Sequence, residues 1–508
     1  MKKQFFKIFV VAFISLIFLG GCDLTREPYD AIPRENSLQS ITDAKKWDTG
    51  FMSLLRNRVG GYYSTSQDFQ ADYLNASADY GNRGGSFYTW QTLNSGDYDV
   101  KDIWHSYYIA LKNINEFLHL TADLQFEKEA DMVELNTYKG DAHLLRAFYY
   151  YELAIRYGTK YNPASASSDL CVPLILQYDF TELPSRATNA EVYGQIAKDI
   201  DAAKLLLSAR ANKPMSLVLT ADAAIALEAR VALAKKDWPA ALAAAEKLIV
   251  SGTYPLVSPE AESFSNMWRA DNSSEDIVQL YVKRSDEEPR TIGFYGYSEQ
   301  NKANMPDFFP TQGIIDLFDA GDLRKPVYFE KAAKVKVGDY NMDDVYVISK
   351  YLGNPAYNTT ATPRYILRPK LFRMGEIYTI AAEAAFMVPN TTKAAQYLND
   401  LRISRGLTAV GSVTLQDIKD ERTRELAFEG QRFFDLRRWN DPMNRLPPQS
   451  SQNPISATIN NPIGRSFLST ISDFDLKVPA SSHRWIWPIP YNELTTNVNI
   501  KDQQNPGW

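Results

Sequence analysis

Residues 219–252 carry the clearest hydrophobic pattern in the chain, with alanine and leucine recurring at helical spacing on both sides of a short polar turn. Ala223 and Leu227 begin the periodic face of the first helix that this pattern predicts. Pro239 falls in the first turn of the second helix, where its missing N–H leaves no hydrogen bond unmade. Gly252 follows the last periodic residue and is a typical helix end. The segment therefore predicts a helix–turn–helix.

Similar patterns predict further helix pairs, which makes the expected fold mainly α. The 34 residues of 219–252 equal the length of a tetratricopeptide repeat, although the Trp and Gly that mark its first helix are missing. The helix predicted at 138–157 is apolar on nearly every side, which indicates burial on several faces. About four pairs are enough for a stable stack, so we predict a tetratricopeptide-like helical-repeat scaffold. The other pairs lie near residues 41–120 (helix 41–56 with helix 100–120), 138–207 and 370–406.

Three long segments interrupt the helical pattern, near residues 59–99, 255–368 and 440–484. They are rich in Gly, Pro, Asn, Ser and Tyr and show little helical period. Long segments of this kind within an ordered domain are usually functional loops. We therefore predict one domain over residues 34–508, in which these insertions form a large irregular loop face on the helical scaffold.

The N-terminal residues have the pattern of a targeting segment. Three lysines precede the apolar run 8–19, which is too short to span a bilayer and typical of a signal peptide. The run ends in Leu-Gly-Gly-Cys at residues 19–22, the pattern of a bacterial lipobox, in which the cysteine is acylated. We predict a lipoprotein signal peptide over 1–21 and a lipidated tether over 22–33 that begins at Cys22. An ordinary signal peptide followed by a chance cysteine is the alternative.

Composition narrows the classes of partner. A formal net charge of −6 argues against a protein that binds nucleic acid through phosphate contacts. The second cysteine, Cys171, is predicted to be a small buried side chain. The 30 Tyr, 25 Phe and 9 Trp supply more stacking surface than a core needs, so some aromatic rings are expected at a binding surface.

No catalytic constellation stands out. Glu421, Glu425 and Glu429 lie four residues apart on one predicted helix face, which could suggest the paired carboxylates of a glycosidase, but five arginines crowd the same segment. Neighbouring guanidinium groups lower a carboxyl pKa, which is the wrong direction for a general acid. We therefore predict a structural ion-pair network here, and a protein that is not an enzyme.

One segment begins like a calcium-binding loop, with Asp339, Asn341 and Asp343 at alternate positions. Its sixth position is Asp344 where an EF-hand has Gly, and its twelfth is Lys350 where an EF-hand has Glu. An EF-hand is therefore excluded, and no metal site or cofactor is predicted, although a looser calcium site stays open.

The segment 421–439, ERTRELAFEGQRFFDLRRW, resembles the C-terminal signature of the SusD/RagB family of surface nutrient-binding lipoproteins. Other blocks resemble that family in the expected order, and the likeness covers nearly the whole chain, lipobox included. These blocks are 140–158, 316–324, 350–351, 399–406, 487–494 and 504–507.

The resemblance implies helix pairs that carry a variable loop face, in an outer-membrane lipoprotein exposed at the cell surface. It also implies a partner, a SusC/RagA-like TonB-dependent transporter, to which the protein delivers a captured oligosaccharide. No catalysis and no organic cofactor are implied. Three alternatives stay open: an oligopeptide-capturing RagB-like protein of the same fold, a surface hydrolase, and a pure interaction scaffold.

The family blocks mark the scaffold and not the ligand contacts, so the site has to be predicted from the residues themselves. Sugars present apolar C–H faces and hydroxyl edges, which suit exposed aromatic rings bordered by polar side chains. Segments 82–91 and 293–301 have that composition. The alternative is that their rings pack in the core beneath the loops. The predicted ligand contacts are Tyr88 and Trp90 as stacking surfaces, Asn82 and Arg83 as their polar partners, and then Tyr295 and Tyr297.

Overall fold

The computed structural model describes most of the chain. The described residues are 37–77, 83–177, 179, 181–282, 292–338, 340–342, 344–360, 364–449 and 477–508. The predicted signal peptide, Cys22 and the tether lie outside them, as do Asn82, Asp339 and Asp343. Much of the insertion near 440–484 also lies outside them.

Helices form most of the regular structure in the described residues. None of these helices is both long enough and apolar enough to span a membrane. The helices are α1 (Ile41–Arg56), α2 (Tyr62–Gln70), α3 (Gly85–Thr89), α4 (Tyr98–Leu120), α5 (Glu129–Tyr157), α6 (Asn189–Leu206), α7 (Ala221–Lys235), α8 (Trp238–Ser251), α9 (Ala261–Arg269), α10 (Ile292–Tyr295), α11 (Gln312–Asp316), α12 (Lys325–Tyr328), α13 (Met374–Met387), α14 (Thr391–Ser404), α15 (Leu415–Glu425), α16 (Arg432–Trp439) and α17 (Tyr491–Thr496).

The helix–turn–helix predicted at 219–252 is present as α7 and α8, which pack on each other. Lys236 ends α7 in the left-handed conformation, with φ of 61°. The carboxylate of Asp237 then accepts a hydrogen bond from the N–H of Ala240 at 3.3 Å and caps α8. Gly252 ends α8 with φ of 64°, a conformation that glycine adopts without strain. Local signals in the sequence thus determine both ends of this pair.

Helices of the N-terminal half pack around the long helix α5. Its C-terminal part is buried on nearly all sides, as the sequence predicted for 138–157, although the helix begins at Glu129. Helices α4 and α6 pack along it, and so does α1, whose contact with α5 is larger than its contact with α4. Helices α1 and α4, predicted as a pair, contact each other through the rings of Phe51 and Phe117, and both also pack on α5. In the C-terminal half, α13 packs against α14 and α8 and continues the stack.

The strands are short, and most belong to the insertion predicted at 255–368. The strands are β1 (Leu74–Ala76), β2 (Leu170–Pro173), β3 (Arg186–Thr188), β4 (Asp276–Gln279), β5 (Tyr297–Ser298), β6 (Ala303–Asn304), β7 (Phe308–Pro310), β8 (Phe329–Ala332), β9 (Val335–Val337), β10 (Tyr340–Met342), β11 (Val345–Ile348), β12 (Lys370–Arg373), β13 (Met443–Asn444) and β14 (Lys477–Val478). They form several two-stranded antiparallel sheets and one four-stranded sheet of order β10-β9-β6-β5, in which β6 and β9 are parallel.

One large hydrophobic core runs through the helical stack and reaches into the insertions. Cys171 lies in it with a free thiol, as predicted, and burial raises the pKa of this thiol to about 12. Two smaller clusters lie beneath the loops. One includes Tyr295, Phe309 and strands β8 to β11, and the other packs Trp90 against the ring of Phe433.

The ion-pair network predicted around Glu421, Glu425 and Glu429 is present and lies inside the molecule. Each carboxylate is held by arginines or a lysine, and their positive charges keep the pKa of all three carboxyl groups below its usual range although burial opposes this. The partners that these carboxylates contact are Arg324, Lys350, Arg373, Arg402, Arg405 and Arg424.

Candidate ligand-binding face

The first segment predicted to contact a ligand, 82–91, lies beside the chain that follows the second, 293–301. Strands β1 and β7 pair antiparallel with Ala76 opposite Phe308, so the chain that leaves β1 runs beside the chain that enters β7. The N–H of Ser77 donates to the carbonyl of Asp307 at 2.8 Å. Further along, Arg83 Nε donates to Asp307 Oδ2 at 2.6 Å while its Nη2 contacts Oδ1. This bidentate ion pair joins the first segment to the chain that follows the second, and the Arg83 side chain is 60% exposed.

Tyr62, which begins a helix, borders this ion pair, and Tyr98 begins another helix next to Asp99, an acidic neighbour of Tyr62. Tyr62 starts α2 and is 39% exposed, and Tyr98 starts α4 and is 68% exposed. Partial burial and the carboxylates of Asp99 and Asp307 raise the pKa of the Tyr62 hydroxyl. The Asp102 carboxylate raises the pKa of Tyr98. Both rings therefore stand next to acidic groups and reach solvent.

Asp99, beside Tyr98, is the carboxyl most affected by these surroundings. Burial, followed by the charges of Asp97 and Asp102, raises its pKa to about 6. The cluster is thus an acidic edge that contains the exposed guanidinium of Arg83 beside Tyr62 and the Lys101 ammonium 4.4 Å from the centroid of the Tyr98 ring. The carboxylates of such an edge can accept hydrogen bonds from sugar hydroxyls, and the Arg83 guanidinium can donate to them.

The β5–β6 hairpin adds a second cluster just before Asp307 in the chain. The Tyr297 ring is partly exposed, and the Arg364 guanidinium lies over it, 4.1 Å from the ring centroid. Glu299 accepts from Lys302 at 2.8 Å and approaches Arg364 Nε at 3.7 Å. We call these side chains together the loop face: Tyr62, Arg83, Tyr98, Asp99, Tyr297, Asp307 and Arg364.

Trp90 and Tyr88, the two preferred stacking residues, do not lie on an open surface. Trp90 is 0% exposed, its Nε1 donates to the carbonyl of Gln70 at 3.1 Å, and its ring packs on Phe433 and Trp485. Tyr88 is 1% exposed beneath the Arg445 guanidinium, which lies 4.1 Å from its centroid. Their prediction as exposed stacking surfaces is corrected, because the loop folds into helix α3 and turns these rings inward.

Tyr295 is likewise corrected as an open stacking surface. It is 4% exposed, its hydroxyl donates to Glu330 Oε2 at 3.0 Å, and its ring meets that of Tyr365 edge to face. The physical reason is shared by all three rings. An insertion with only short strands has little other apolar surface, so its own aromatic side chains have to form the small cores that hold it.

The structure therefore places Arg83 and Tyr297 at the surface and leaves Asn82 outside the described residues. The sequence prediction missed Tyr62 and Tyr98. Both follow Gly-containing turns and occupy the first position of a helix, which is a detectable signal for an exposed side chain next to a loop. Pattern alone could not tell which of the many tyrosines would face outward.

A cavity of about 130 Å³ lies deeper in the molecule, between α5, the start of α2 and the segment that leads into α13. We call it the charged cavity. Its charges are largely matched, since Arg156 pairs with Glu152 at 2.5 Å and Arg230 with Glu376 at 2.6 Å. Within the described part of the chain, no group of His, Cys, Asp and Glu side chains is arranged to hold a metal ion.

Comparison with known proteins gives the class. A family described as "SusD family" matches residues 269–508, and one described as "Starch-binding associating with outer membrane" matches residues 30–233. The SusD-like protein P38 of Formosa agariphila is 24% identical over 509 residues, which span 88% of this chain and 94% of that protein.

Solved structures share the fold. A SusD superfamily protein from Bacteroides thetaiotaomicron has a TM-score of 0.75 at 24% identity, over 92% of this chain and 100% of that one. A SusD-like carbohydrate binding protein from Bacteroides vulgatus has a TM-score of 0.73 at 20% identity, over 91% and 97%. The molecule is thus a mainly helical scaffold of the SusD type with an irregular loop face. The chain belongs to the SusD/RagB family.

Proposed function

We propose that this protein captures an oligosaccharide on the loop face and delivers it to a SusC/RagA-like TonB-dependent transporter of the outer membrane. The role is passive, because it requires binding and release and no catalytic step. The names of its relatives support this proposal: one matching family is described as starch-binding and associated with the outer membrane, and one structural neighbour is called carbohydrate binding.

The observation that carries the proposal is the convergence of two separate insertions at the Arg83–Asp307 ion pair, beside the exposed ring of Tyr62. Tyrosine rings can stack on the apolar faces of pyranose rings, and Arg and Asp side chains can bond to the hydroxyl edges. Both kinds of contact occur here within one surface. An open surface of this type leaves much of a ligand in water, so modest affinity per site is expected.

The proposal includes an anchor at the cell surface. The lipobox that ends at Cys22 supports acylation of this residue, and several acyl chains hold a protein stably at a membrane. The tether then leaves the folded body free to reorient over its transporter. Attachment to the outer membrane and exposure to the medium are part of the proposal and rest on the family.

The test is a binding screen with the protein purified in detergent, against plant, host and microbial oligosaccharides and against mixed oligopeptides. Isothermal titration of each hit compares the parent with Tyr62→Ala and Tyr98→Ala. We expect each substitution to weaken glycan binding about tenfold or more, which corresponds to about 1.4 kcal/mol or more. Tyr281→Ala is the matched control, because Tyr281 is also exposed but lies beside the end of α1 at Arg56.

The outcomes separate the site from the function. A glycan that binds the parent and both loop-face variants equally would contradict the loop face as the site. Binding of oligopeptides alone would contradict oligosaccharide capture and favour the RagB-like alternative. If Tyr281→Ala weakens glycan binding as much as the loop-face substitutions do, the loss reflects a general change in structure and not a lost contact with the glycan.

A further inference from the structure

A second cavity, of about 50 Å³, lies on the helical stack, away from the strands of the insertions. Its walls come from the C-terminal end of α5 and the residues that follow it, from the turn between α7 and α8, and from α16. We call it the basic cavity. The lining side chains used in the argument are Tyr151, Lys160, Tyr193, Lys236, Arg437 and Arg438.

Three of these cations have no carboxylate partner among the described residues. Lys160 Nζ donates to Asn440 Oδ1 at 3.1 Å and to the carbonyl of Arg437 at 3.4 Å. Arg437 is buried, and its guanidinium donates only to backbone carbonyls, including that of Gly158 at 2.9 Å. Lys236 is exposed, and no acidic group of the described chain lies within ion-pair distance of it.

The other lining cations are already neutralised. Arg438 bonds to Glu383 and to Asp435, Arg422 bonds to Asp435, and Arg230 pairs with Glu376. Lys160, Lys236 and Arg437 thus surround one small cavity without a carboxylate paired to any of them in the described residues, although Arg437 also donates to carbonyls at the C-terminal end of α5. Arg437 is buried, whereas Lys160 and Lys236 are exposed at the edge of the cavity, and positive charges gathered around one cavity attract an anion.

The acid–base behaviour of the three cations agrees with this geometry. Burial, then the charges of Lys236 and Arg437, lower the pKa of Lys160. Burial, then Arg438, lower the pKa of Lys236. Burial lowers the pKa of Arg437 to about 10. The Glu383 carboxylate opposes this shift at Lys236.

Two tyrosine hydroxyls add hydrogen-bond donors. Tyr151 on α5 and Tyr193 on α6 both line the cavity and are buried, at 4% and 6% exposure. Neither hydroxyl has a hydrogen-bond partner in the part of the chain that the structure describes. Neither hydroxyl oxygen is among the buried polar atoms without a partner, so both are open to the cavity and can donate to a group placed there. Oxygen atoms of an anion would accept from both.

The neighbouring charged cavity provides an internal comparison. The two cavities share Arg230, Gln431 and Phe434 in their walls. In the charged cavity, carboxylates such as Glu152, Glu376 and Glu429 offset most of the arginines, whereas in the basic cavity Asp435 is the single lining carboxylate of the described residues. The excess positive charge is therefore local to the basic cavity.

We propose that the basic cavity is an oxyanion-binding site, in which Lys160, Lys236 and Arg437 supply the charge and Tyr151 and Tyr193 supply hydrogen bonds. Its volume suits one carboxylate or sulfate group and not a whole sugar ring. Resting on the proposed function, we assign the group to an acidic saccharide, whose uncharged part extends into solvent.

The first experiment tests the site alone, with inorganic sulfate as the probe. Lysine acetylation of the full-length protein is followed by mass spectrometry with and without sulfate, at constant ionic strength. We expect sulfate to slow the modification of Lys160 and Lys236 severalfold and to leave Lys204 unchanged. Lys204 on α6 is the control because it already pairs with Glu228 on α7 at 3.1 Å. Equal rates with and without sulfate at all three lysines would overturn the oxyanion site.

The second experiment tests the assignment to a sugar. Isothermal titration compares glucuronate and a sulfated monosaccharide with uncharged glucose, for the parent and for Lys160→Gln, Lys236→Gln and the control Lys204→Gln. We expect the acidic sugars to bind at least tenfold more tightly than glucose, and either cavity substitution to remove most of that difference. Sulfate protection without binding of either acidic sugar would overturn the saccharide assignment and identify a free oxyanion as the occupant.

The two proposals fail separately in these experiments. The sulfate result depends only on the basic cavity, and loss of glycan binding in the loop-face variants depends only on Tyr62 and Tyr98. If acidic sugars bind the Lys236→Gln variant as tightly as the parent, the basic cavity is not their binding site. This conclusion does not depend on what the loop face binds. A parent that binds no saccharide at all would contradict the proposed function while the sulfate result stands.

Discussion

Asp68 shows how one buried carboxyl connects structure to pH. It lies at the C-terminal end of α2, where its Oδ1 accepts from the Tyr73 hydroxyl and from the N–H of Gly430 at 3.0 Å. Its Oδ2 is buried and has no partner in the described chain. Burial raises its pKa to about 7 in spite of these hydrogen bonds. The side chain is therefore half protonated near neutral pH.

We predict that Asp68 makes the protein less stable as the pH rises. Between an unfolded-state pKa of about 4 and the folded-state pKa of about 7, the folded protein retains a proton that the unfolded chain releases. The stabilisation is complete below pH 4 and is lost as the pH rises through 7. From about pH 5 to about pH 8 the loss is on the order of 2–3 kcal/mol, measurable by calorimetry as a falling Tm.

Asp68→Asn removes this proton and retains the shape of the side chain. We expect its Tm to fall less than that of the parent over the same pH range, while Asp102→Asn, at a partly exposed position, follows the parent. Asp276, whose pKa burial raises to about 6, adds to the slope of all three proteins. An Asp68→Asn variant with the slope of the parent would contradict the role given to Asp68.

At this scale, the sequence could predict the composition of the site and not the exposure of its members. The segments that contain Arg83 and Tyr297 were identified from their aromatic and polar content, and both residues reach the surface. Trp90 has the same local context and is fully buried. Its direction is decided by contacts with Phe433 and Trp485, which are hundreds of residues away in the chain. Single-sequence patterns do not contain those contacts.

At the scale of elements, prediction succeeded where the signals are local. Helices α7 and α8 carry a cap at Asp237, a proline in the first turn at Pro239 and a terminal glycine at Gly252, all within a few residues. Strands β5 and β6 have two residues each, too short for an alternating pattern to be recognised. Their pairing is determined by tertiary contacts, so the strands within the insertion could not be predicted.

The contact between α5 and α6 provides a prediction at this scale. Gly140 lies where α5 meets the end of α6, and a Cβ atom placed there would come within 2.8 Å of Leu207 Cγ and 3.0 Å of Leu206 Cβ. The Leu206 Cβ is fixed to the backbone, so the helices would have to separate. We expect Gly140→Ala to lower the free energy of unfolding by about 1–3 kcal/mol in urea denaturation.

Gly194 provides the matched control, since it lies in the interior of α6 and a Cβ atom added there would meet nothing within 4 Å. Gly194→Ala gains helix propensity without a clash. We expect it to raise the free energy of unfolding by up to about 1 kcal/mol. Opposite signs for the two variants support close packing at Gly140, and a gain in stability for both would show that α5 and α6 can separate freely.

At the scale of the whole molecule, buried charges join segments that are far apart in the chain. Glu425 Oε2 accepts from Arg324 Nη1 at 2.9 Å and from Arg405 Nε at 3.0 Å, and its Oε1 accepts from Arg405 Nη2 at 2.7 Å and from Arg373. Arg405 also bonds to Glu275 at 2.8 Å. The sequence predicted that this carboxylate would be paired, but it could not identify partners that come from three other parts of the chain.

This arrangement makes α15 a junction between the helical stack and the insertion. Arg324 belongs to the insertion, Arg373 to β12, and Arg405 follows α14, so one carboxylate contacts all three. Burial opposes the charge of Glu425, but Arg405 and Arg373 hold its pKa well below the usual range. Neutralising this carboxylate would leave guanidinium groups with less negative charge than they need in a buried site.

Glu425→Gln is therefore expected to lower the free energy of unfolding by about 3–5 kcal/mol, the typical cost of removing one member of a buried ion pair. Glu246→Gln is the control, because its partner Lys393 lies at a partly exposed position and the pair contributes about 1 kcal/mol or less. Urea denaturation followed by both fluorescence and circular dichroism measures the two losses. A loss for Glu425→Gln no larger than that for Glu246→Gln would show that the junction is dispensable. Separate transitions by the two probes would show that the insertion unfolds independently of the helical stack once the junction is weakened.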